Sequence, residues 1–172
     1  MLLYPEGAAT RKYLVGVISD THGLIRPEAL EDFRGSDLII HAGDVGKPQV
    51  LDALRDVAPT VAVRGNNDRG KWADKLNYVE SVEVGDARIY VLHRISDLNI
   101  DLSTSGYDAV IFGHSHRASI RDREGVMFLN PGYSGPKRFK RQISIALLWA
   151  KGVSLEAKIM RLDIYADHQS RL

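Results

Sequence analysis

The chain contains no cysteine among its 172 residues. Disulfide bonds, thiolate zinc sites and cysteine nucleophiles are therefore excluded, and any metal must be held by His, Asp, Glu or Asn. An excess of one charge is also lacking, because 23 Lys and Arg are balanced by 22 Asp and Glu. This balance does not favour an extended nucleic acid or a membrane surface as the partner.

Long apolar runs are missing as well, since none approaches the ~20 residues that a membrane span requires. The N-terminal residues include Glu6 and have neither a basic start nor an apolar stretch, so they do not resemble a signal peptide. We therefore expect a cytoplasmic protein. The size and the 44% hydrophobic content are typical of one globular domain, predicted over 1–172 with 1–11 as an N-terminal arm.

The first half of the chain alternates short apolar strands with helices. We predict strands at 13–18, 38–40 and 60–63, and helices at 27–34 and 47–57. Each helix has a proline near its start, which is a favoured position for that residue. This order of elements predicts parallel strands covered by helices.

The second half is richer in strands. A hairpin is predicted around Gly85-Asp86, followed by a helix between Ile95 and Ser105 and a buried strand at 109–112. Further strands are predicted at 118–121, 126–129, 142–149 and 153–162. The whole pattern indicates an α/β domain in which two sheets face each other with helices outside.

Five short polar motifs each follow or close a predicted strand. They are Asp20-Thr21-His22-Gly23, Gly43-Asp44, Gly65-Asn66-Asn67-Asp68, His93 and Gly113-His114-Ser115-His116. Because the carboxyl ends of parallel strands form one rim of a sheet, these side chains are expected to converge. The first four motifs, taken singly, would be interpreted as turns, a helix cap or a core histidine. His114 and His116 favour a functional role, because two imidazoles two apart at a strand end point to the same side. Five separate accidents at strand ends are improbable together.

Carboxylate, imidazole and amide ligands suit Mn²⁺, Fe, Ni²⁺ or Zn²⁺, and the lack of thiolate argues against a purely structural zinc. A carboxylate can bridge two cations through its two oxygens. Two cations ~3.5–4 Å apart can polarise a phosphoryl group and lower the pKa of a water between them, which supplies a hydroxide nucleophile. The inventory therefore predicts a metal site, with the donors that two-metal phosphoryl chemistry would use.

These motifs, in this order, resemble the calcineurin-like metallophosphoesterase superfamily. The short length, together with Ile18-Ser19-Asp20-Thr21-His22-Gly23, His41-Ala42-Gly43-Asp44 and Asn130-Pro131-Gly132, is most similar to the small YfcE-like phosphodiesterase family. The resemblance covers about Tyr13 to Arg138. It implies a four-layer αββα sandwich, two facing mixed β-sheets flanked by helices.

The resemblance also implies a division of the ligands between two divalent ions, with Mn²⁺ as the expected cation. One ion would be held by Asp20, His22 and His116, and the other by Asn66, His93 and His114. Asp44 would bridge them, so that attack on phosphorus involves Asp44, Asn66 and His114 most directly. Supporting roles behind the ligands are expected for His41, Asn67 and Asp68.

Three positions depart from the pattern of the family. Asn67 stands where many members have a His that is proposed to protonate the leaving oxygen or bind phosphate, and an amide cannot supply that proton. Arg94 stands in place of a Gly, and Tyr133 in place of a Ser. Contact with substrate is a hypothesis for each of Asn67, Arg94 and Tyr133.

Other functions remain open on this sequence. The superfamily includes a retromer subunit that serves as an interaction scaffold, and a phosphomonoesterase or nuclease could use the same ligands. All seven ligand positions carry competent side chains, which favours an enzyme acting on a small phosphoester.

A cluster of basic residues is interpreted as solvated surface; it comprises Lys137, Arg138, Lys140 and Arg141. The apolar strand at 143–149 allows a homo-oligomer.

Overall fold

The computed structural model describes residues 11–138 and 140–162. The predicted arm at 1–11 therefore lies outside the described residues except for Arg11, and nothing tests it. Within the described ranges the first sheet contains five strands: β1 (Lys12–Ile18), β2 (Leu38–His41), β3 (Thr60–Ala62), β9 (Ser144–Lys151) and β10 (Ser154–Arg161). They lie in the order β10-β9-β1-β2-β3, with β1, β2 and β3 parallel and the other pairs antiparallel.

The second sheet is also mixed and five-stranded. Its members are β4 (Val79–Val84), β5 (Ala87–Leu92), β6 (Ala109–Ile111), β7 (Ser119–Arg123) and β8 (Val126–Asn130). They lie in the order β4-β5-β6-β8-β7, and β5, β6 and β8 run parallel. The predicted hairpin is confirmed, because β4 pairs antiparallel with β5 across Gly85, whose φ of 59° suits a tight turn.

The main core lies between the two sheets. Alternate residues of β1 and β5 point into it, including Tyr13, Val15 and Val17 from one sheet and Ile89 and Val91 from the other. All five are fully or almost fully buried. This alternation is what two facing sheets require, and it confirms the predicted sandwich.

Two helices cover the outer face of the first sheet. Helix α1 (Pro27–Asp32) and helix α2 (Pro48–Arg55) both begin at the prolines that mark their predicted starts. Phe33, Val50 and Leu54 pack against the sheet in a second apolar cluster. The predicted helices are therefore confirmed, although each is shorter than its predicted range.

The outer face of the second sheet is covered differently from the prediction. Instead of one helix between Ile95 and Ser105, the chain forms a 3₁₀ turn at Ile95–Asp97 and a single turn of helix, α3 (Leu102–Ser105). Leu98 has an extended backbone with ψ of 118°, which ends the first turn. Asp101 then begins a new one by accepting a hydrogen bond from the Ser103 backbone N–H. Among the described helices, none has both the length and the apolar character needed to span a membrane.

Candidate metal centre

The predicted motifs come together where the ends of the two sheets meet. The loop after β1 is tied to the loop after β2 by a hydrogen bond from the Asp20 N–H to the Gly43 carbonyl (3.0 Å). Contacts also cross between the sheets: for example, the His114 N–H donates to Asp20 Oδ2 (3.0 Å), and His93 Nδ1 lies 2.8 Å from the Ala42 carbonyl. The convergence expected from strand ends is therefore present in the structure.

The backbone in these loops is held in an unusual conformation. Apart from Glu124 in the β7–β8 turn, the described non-glycine residues with positive φ are all predicted ligands: Asp20, His22, Asp44, His114 and His116. Such a conformation costs about 1–3 kcal/mol per residue and persists only where the surroundings impose it. Part of that constraint is the hydrogen bond from the His22 N–H to the Asp44 carbonyl (3.0 Å). Backbone strain at these positions lowers stability, and its concentration at the predicted ligands indicates a functional site.

One group of donors surrounds Asp20. His116 Nε2 lies 3.0 Å and His22 Nε2 lies 3.8 Å from Asp20 Oδ1. The other oxygen, Oδ2, accepts hydrogen bonds from the Ser19 hydroxyl (2.6 Å) and the His114 N–H, which leaves Oδ1 for the site. Burial raises the pKa of Asp20, and the hydrogen bonds from Ser19 and His114 and the charge of His93 offset only part of that rise.

A second group surrounds Asp44. His93 Nε2 lies 3.4 Å from Asp44 Oδ2, and Asn67 donates to both carboxylate oxygens, through its backbone N–H and its side-chain amide, at 2.8 Å each. Burial alone would raise the pKa of Asp44, but His93 and Asn67 outweigh it and hold the pKa well below its usual range. The pKa of His93 is raised, because the Asp44 and Asp20 carboxylates more than offset its burial.

The remaining predicted ligands lie beside this second group. The His114 ring contacts the His93 ring edge to face, with centroids 5.2 Å apart. Asn66 is exposed and shares a small cavity of about 110 Å³ with His93. His22 connects the two groups, since its Nε2 lies 3.9 Å from Asp44 Oδ2 as well as close to Asp20. The structure thus brings all seven predicted ligand positions to one place.

His41 and Asp68 organise the loops behind the donors. Burial lowers the pKa of His41 to about 3, so the ring is neutral; its Nδ1 accepts from the Gly43 N–H (3.1 Å) and its Nε2 donates to the Thr21 hydroxyl (2.9 Å). The donor assignment follows because the Thr21 hydroxyl itself donates to the Val45 carbonyl. Asp68 is also buried, and its two oxygens accept from two backbone N–H groups at 2.8 Å, one in each of the loops after β2 and β3.

The three residues considered for substrate contact occupy different places. Asn67 bonds Asp44, as described above. Arg94 lies beside the cavity that holds Asn66, but its guanidinium pairs with Asp97 at 3.0 Å. Tyr133 is completely buried; its hydroxyl donates to the Pro136 carbonyl (2.6 Å), and its ring packs against His116 with centroids 4.7 Å apart. In this conformation the Tyr133 ring packs against the His116 imidazole and is not exposed to solvent.

Sequence reasoning missed several residues that shape the site. Ser19 and the Ala42 carbonyl orient two predicted ligands, and the residue types Ser and Ala gave no indication of this role. The glycines that precede the predicted ligands did give an indication in the sequence. A Cβ atom on Gly65 would collide with the backbone N and Oδ1 of Asp44, and one on Gly113 would lie 2.6 Å from Asp20 Oδ2. Both glycines are therefore required by close packing against the carboxylates.

The donors fit metal ions. The ligating atoms of Asp20, His22 and His116 lie within 4.8 Å of one another, as do those of Asp20, Asp44 and His93. His22 Nε2 and His93 Nε2 are buried and have no hydrogen-bond partner. A buried polar atom without a partner is costly, and a cation between these atoms and the two carboxylates would satisfy both. The His93 Nδ1 bond to a carbonyl also directs the Nε2 lone pair towards the site.

Comparisons with known proteins agree with this geometry. Residues 13–152 match the family model of the calcineurin-like phosphoesterase superfamily domain. A probable metallophosphoesterase of Methanothermobacter thermautotrophicus is 37% identical over 159 residues, which cover 86% of this chain and 92% of the relative. A phosphodiesterase of Methanocaldococcus jannaschii is 29% identical over 136 residues, or 69% of this chain and 82% of that protein.

Solved structures share the fold. A structure described as a novel archaeal phosphodiesterase has a TM-score of 0.71 at 24% identity, covering 86% of this chain and 99% of that one. Wild-type Vps29 from Entamoeba histolytica, crystallised with Zn²⁺, has a TM-score of 0.67 at 24% identity, covering 87% and 98%. At these identities the likeness concerns the fold alone.

Proposed function

Because the chain belongs to the calcineurin-like phosphoesterase superfamily, we propose that it is a metal-dependent phosphodiesterase that acts on a small phosphoester through two cations. The observation that carries this proposal is the meeting of two donor groups at Asp44 and Asp20, with two buried imidazole nitrogens that have no hydrogen-bond partner. Cations placed there would give both nitrogens a partner.

The proposed division follows the two groups. Asp20, His22 and His116 would hold one ion, while His93, His114 and Asn66 would hold the other, with Asp44 shared. The distance of His22 Nε2 from both carboxylates, 3.8 Å and 3.9 Å, supports a site in which Asp20 and Asp44 face a common space. We propose Mn²⁺ as the cation; the oxygen and imidazole donors suit it, and they also suit the Fe, Ni²⁺ and Zn²⁺ that the test below includes.

When bound, such cations polarise the phosphoryl oxygens and supply an activated water for in-line displacement. The residues of the chain set the geometry for this chemistry. Asn67 holds the Asp44 carboxylate by both oxygens, and Ser19 and the His114 N–H hold one oxygen of Asp20. The backbone contacts keep these carboxylates aimed at the same space, so that little reorganisation is needed during the reaction.

No protonable side chain occupies the position of Asn67. Unless another residue supplies the proton, the leaving oxygen departs as an anion or takes its proton from water, which favours esters with acidic leaving groups. Diester preference is supported by a relative that is named a phosphodiesterase and is 29% identical. The test must distinguish this proposal from three alternatives on the same fold: a phosphomonoesterase, a nuclease and an interaction scaffold. The cytoplasmic location and the homo-oligomer stay predictions.

The test is hydrolysis by metal-stripped protein that has been reloaded with Mn²⁺, Fe²⁺, Ni²⁺ or Zn²⁺. We expect release of nitrophenol from bis(p-nitrophenyl) phosphate to exceed that from p-nitrophenyl phosphate with at least one cation. Asp44→Asn should retain the fold but lose metal and activity, because a neutral amide cannot bridge two cations. The matched control is Asp52→Asn on the exposed face of α2, which makes the same charge change and should behave as wild type.

Other results would count against the proposal. A preference for the monoester would identify a phosphomonoesterase on the same site. A reloaded protein that binds two cations but hydrolyses neither ester would favour the scaffold. Full activity of Asp44→Asn would contradict the bridging role.

A further inference from the structure

A second cavity opens beside the candidate metal centre and carries concentrated positive charge. Its volume is about 1040 Å³, at the upper end of the ~300–1,000 Å³ typical of small-molecule sites. It begins at Ser115 and His116 and extends along the end of β10. Among the described residues that line it, five are basic and none is acidic; the basic ones are Arg117, Lys140, Arg141, Lys158 and Arg161. We call this cavity the basic groove.

The five positive charges come from distant parts of the chain. Arg117 follows β6, Lys140 and Arg141 precede β9, and Lys158 and Arg161 belong to β10. All five are exposed, and none forms an ion pair with a carboxylate of the described residues. Like charges gathered with no counter-charge from the described part of the chain repel one another, and an anion placed among them reduces that repulsion.

The basic groove is continuous with the candidate metal centre. His116 is a predicted ligand and also lines the groove. The Tyr133 ring packs against His116, and the Arg141 guanidinium lies 5.6 Å from the centroid of the same ring. A molecule held at the metal centre can therefore extend past His116 into the groove.

Resting on the proposed phosphodiesterase function, we propose that the basic groove binds further phosphate groups on the part of the substrate that does not react. The substrate class is then a nucleotide-sized phosphodiester that carries additional phosphates. Arginine and lysine are the side chains that recognise phosphate, arginine through paired N–H donors and lysine as a point charge. The volume accommodates a small molecule, and the near-zero net charge of the chain does not call for a long polyanion.

The test is a binding measurement that requires neither metal nor turnover. The full-length protein in EDTA is titrated calorimetrically with AMP, ADP and ATP, and the affinity is expected to rise with each phosphate. Arg141→Gln combined with Lys158→Gln should weaken ATP binding by about tenfold or more, and AMP binding much less. The matched control, Arg34→Gln with Lys151→Gln, removes the same charge at the opposite end of the first sheet and should leave ATP binding unchanged.

A second measurement decides whether the bound phosphates belong to the substrate. In the Mn²⁺-loaded enzyme, ATP should inhibit diester hydrolysis competitively if the groove continues the active site, whereas non-competitive inhibition would indicate a separate anion site and overturn the proposal. Equal affinity for the three nucleotides, or ATP binding that the groove variant does not change, would also overturn it. Because the titration uses no metal, its result stands apart from the outcome of the hydrolysis test.

Discussion

A single added methyl group at Gly65 should disable the metal centre without removing any ligand. The Cβ of Gly65→Ala would collide with the backbone N and Oδ1 of Asp44 and lie 2.8 Å from its Cα. A normal carbon contact is ~3.5–4.0 Å, so Asp44 must move by about 1 Å. Rotation of a side chain cannot relieve the clash, because two of the three obstructing atoms are backbone.

The displacement has two expected consequences. Misplacement by about 1 Å in a catalytic site costs on the order of 10²-fold in rate, so kcat/KM with bis(p-nitrophenyl) phosphate should fall by about that factor. The free energy of unfolding should fall by roughly 1–3 kcal/mol, as for other overpacked interiors. The assay measures hydrolysis and metal content of Mn²⁺-reloaded protein below the unfolding transition, and thermal unfolding of the same protein is followed through that transition.

The control separates loss of stability from loss of geometry. Gly35→Ala meets no atom within 4 Å, but its φ of 78° is unfavourable for alanine. Gly35 follows α1, away from the metal centre, so this variant should lose roughly 1 kcal/mol of stability and keep its activity. Wild-type metal content and activity in Gly65→Ala would refute the argument that this glycine is needed for the position of Asp44.

Two further predictions concern protons. Asn67→His should raise turnover of alkyl phosphodiesters, whose leaving groups are basic, by up to about 10²-fold relative to nitrophenyl esters. The control Asn67→Ala loses the same amide contact with Asp44 and should not raise this turnover. Equal effects of the two variants would show that no acid is missing at position 67. Metal binding should release a proton from His93, because neighbouring carboxylates raise its pKa in the metal-free protein and a ligand imidazole must be neutral. Calorimetry in buffers of different ionisation enthalpy should show this release shrinking as the pH rises through the pKa of His93, and release that grows with pH would contradict the assignment.

The location of the site could be predicted because it depends on local order along the chain. Apolar runs that end in Asp20, Asp44 and Asn66 mark strands whose carboxyl ends share one rim, and the structure places all three there. Two facing sheets with helices outside followed from the same runs, and the four-layer αββα sandwich followed from the family resemblance. The helix predicted between Ile95 and Ser105 was wrong as a continuous element, because the capping tendency of Asp101 divides the segment.

The details of coordination could not be predicted in the same way. The Ala42 carbonyl orients His93 across 51 positions of the chain, and such a contact leaves no local signature. The Ser19 hydroxyl bonds the neighbouring Asp20, but which carboxylate oxygen it occupies depends on the folded loop. The burial of Tyr133 depends on packing across the site. The basic run that contains Lys140 and Arg141 is predicted to be solvated surface because charge runs usually are. The basic residues Lys158 and Arg161 of β10, which line the same cavity, are far away in sequence.

Sequence alone determined which side chains are available and which strand ends carry them, since the period of the apolar pattern and the type of residue after each strand are local properties. Only the tertiary structure decided how the carboxylates are aimed, which imidazole nitrogens remain unpaired, and how five separate positive charges form one groove. These features arise from long-range packing of two sheets, and the distances that define them exist only once the chain has folded.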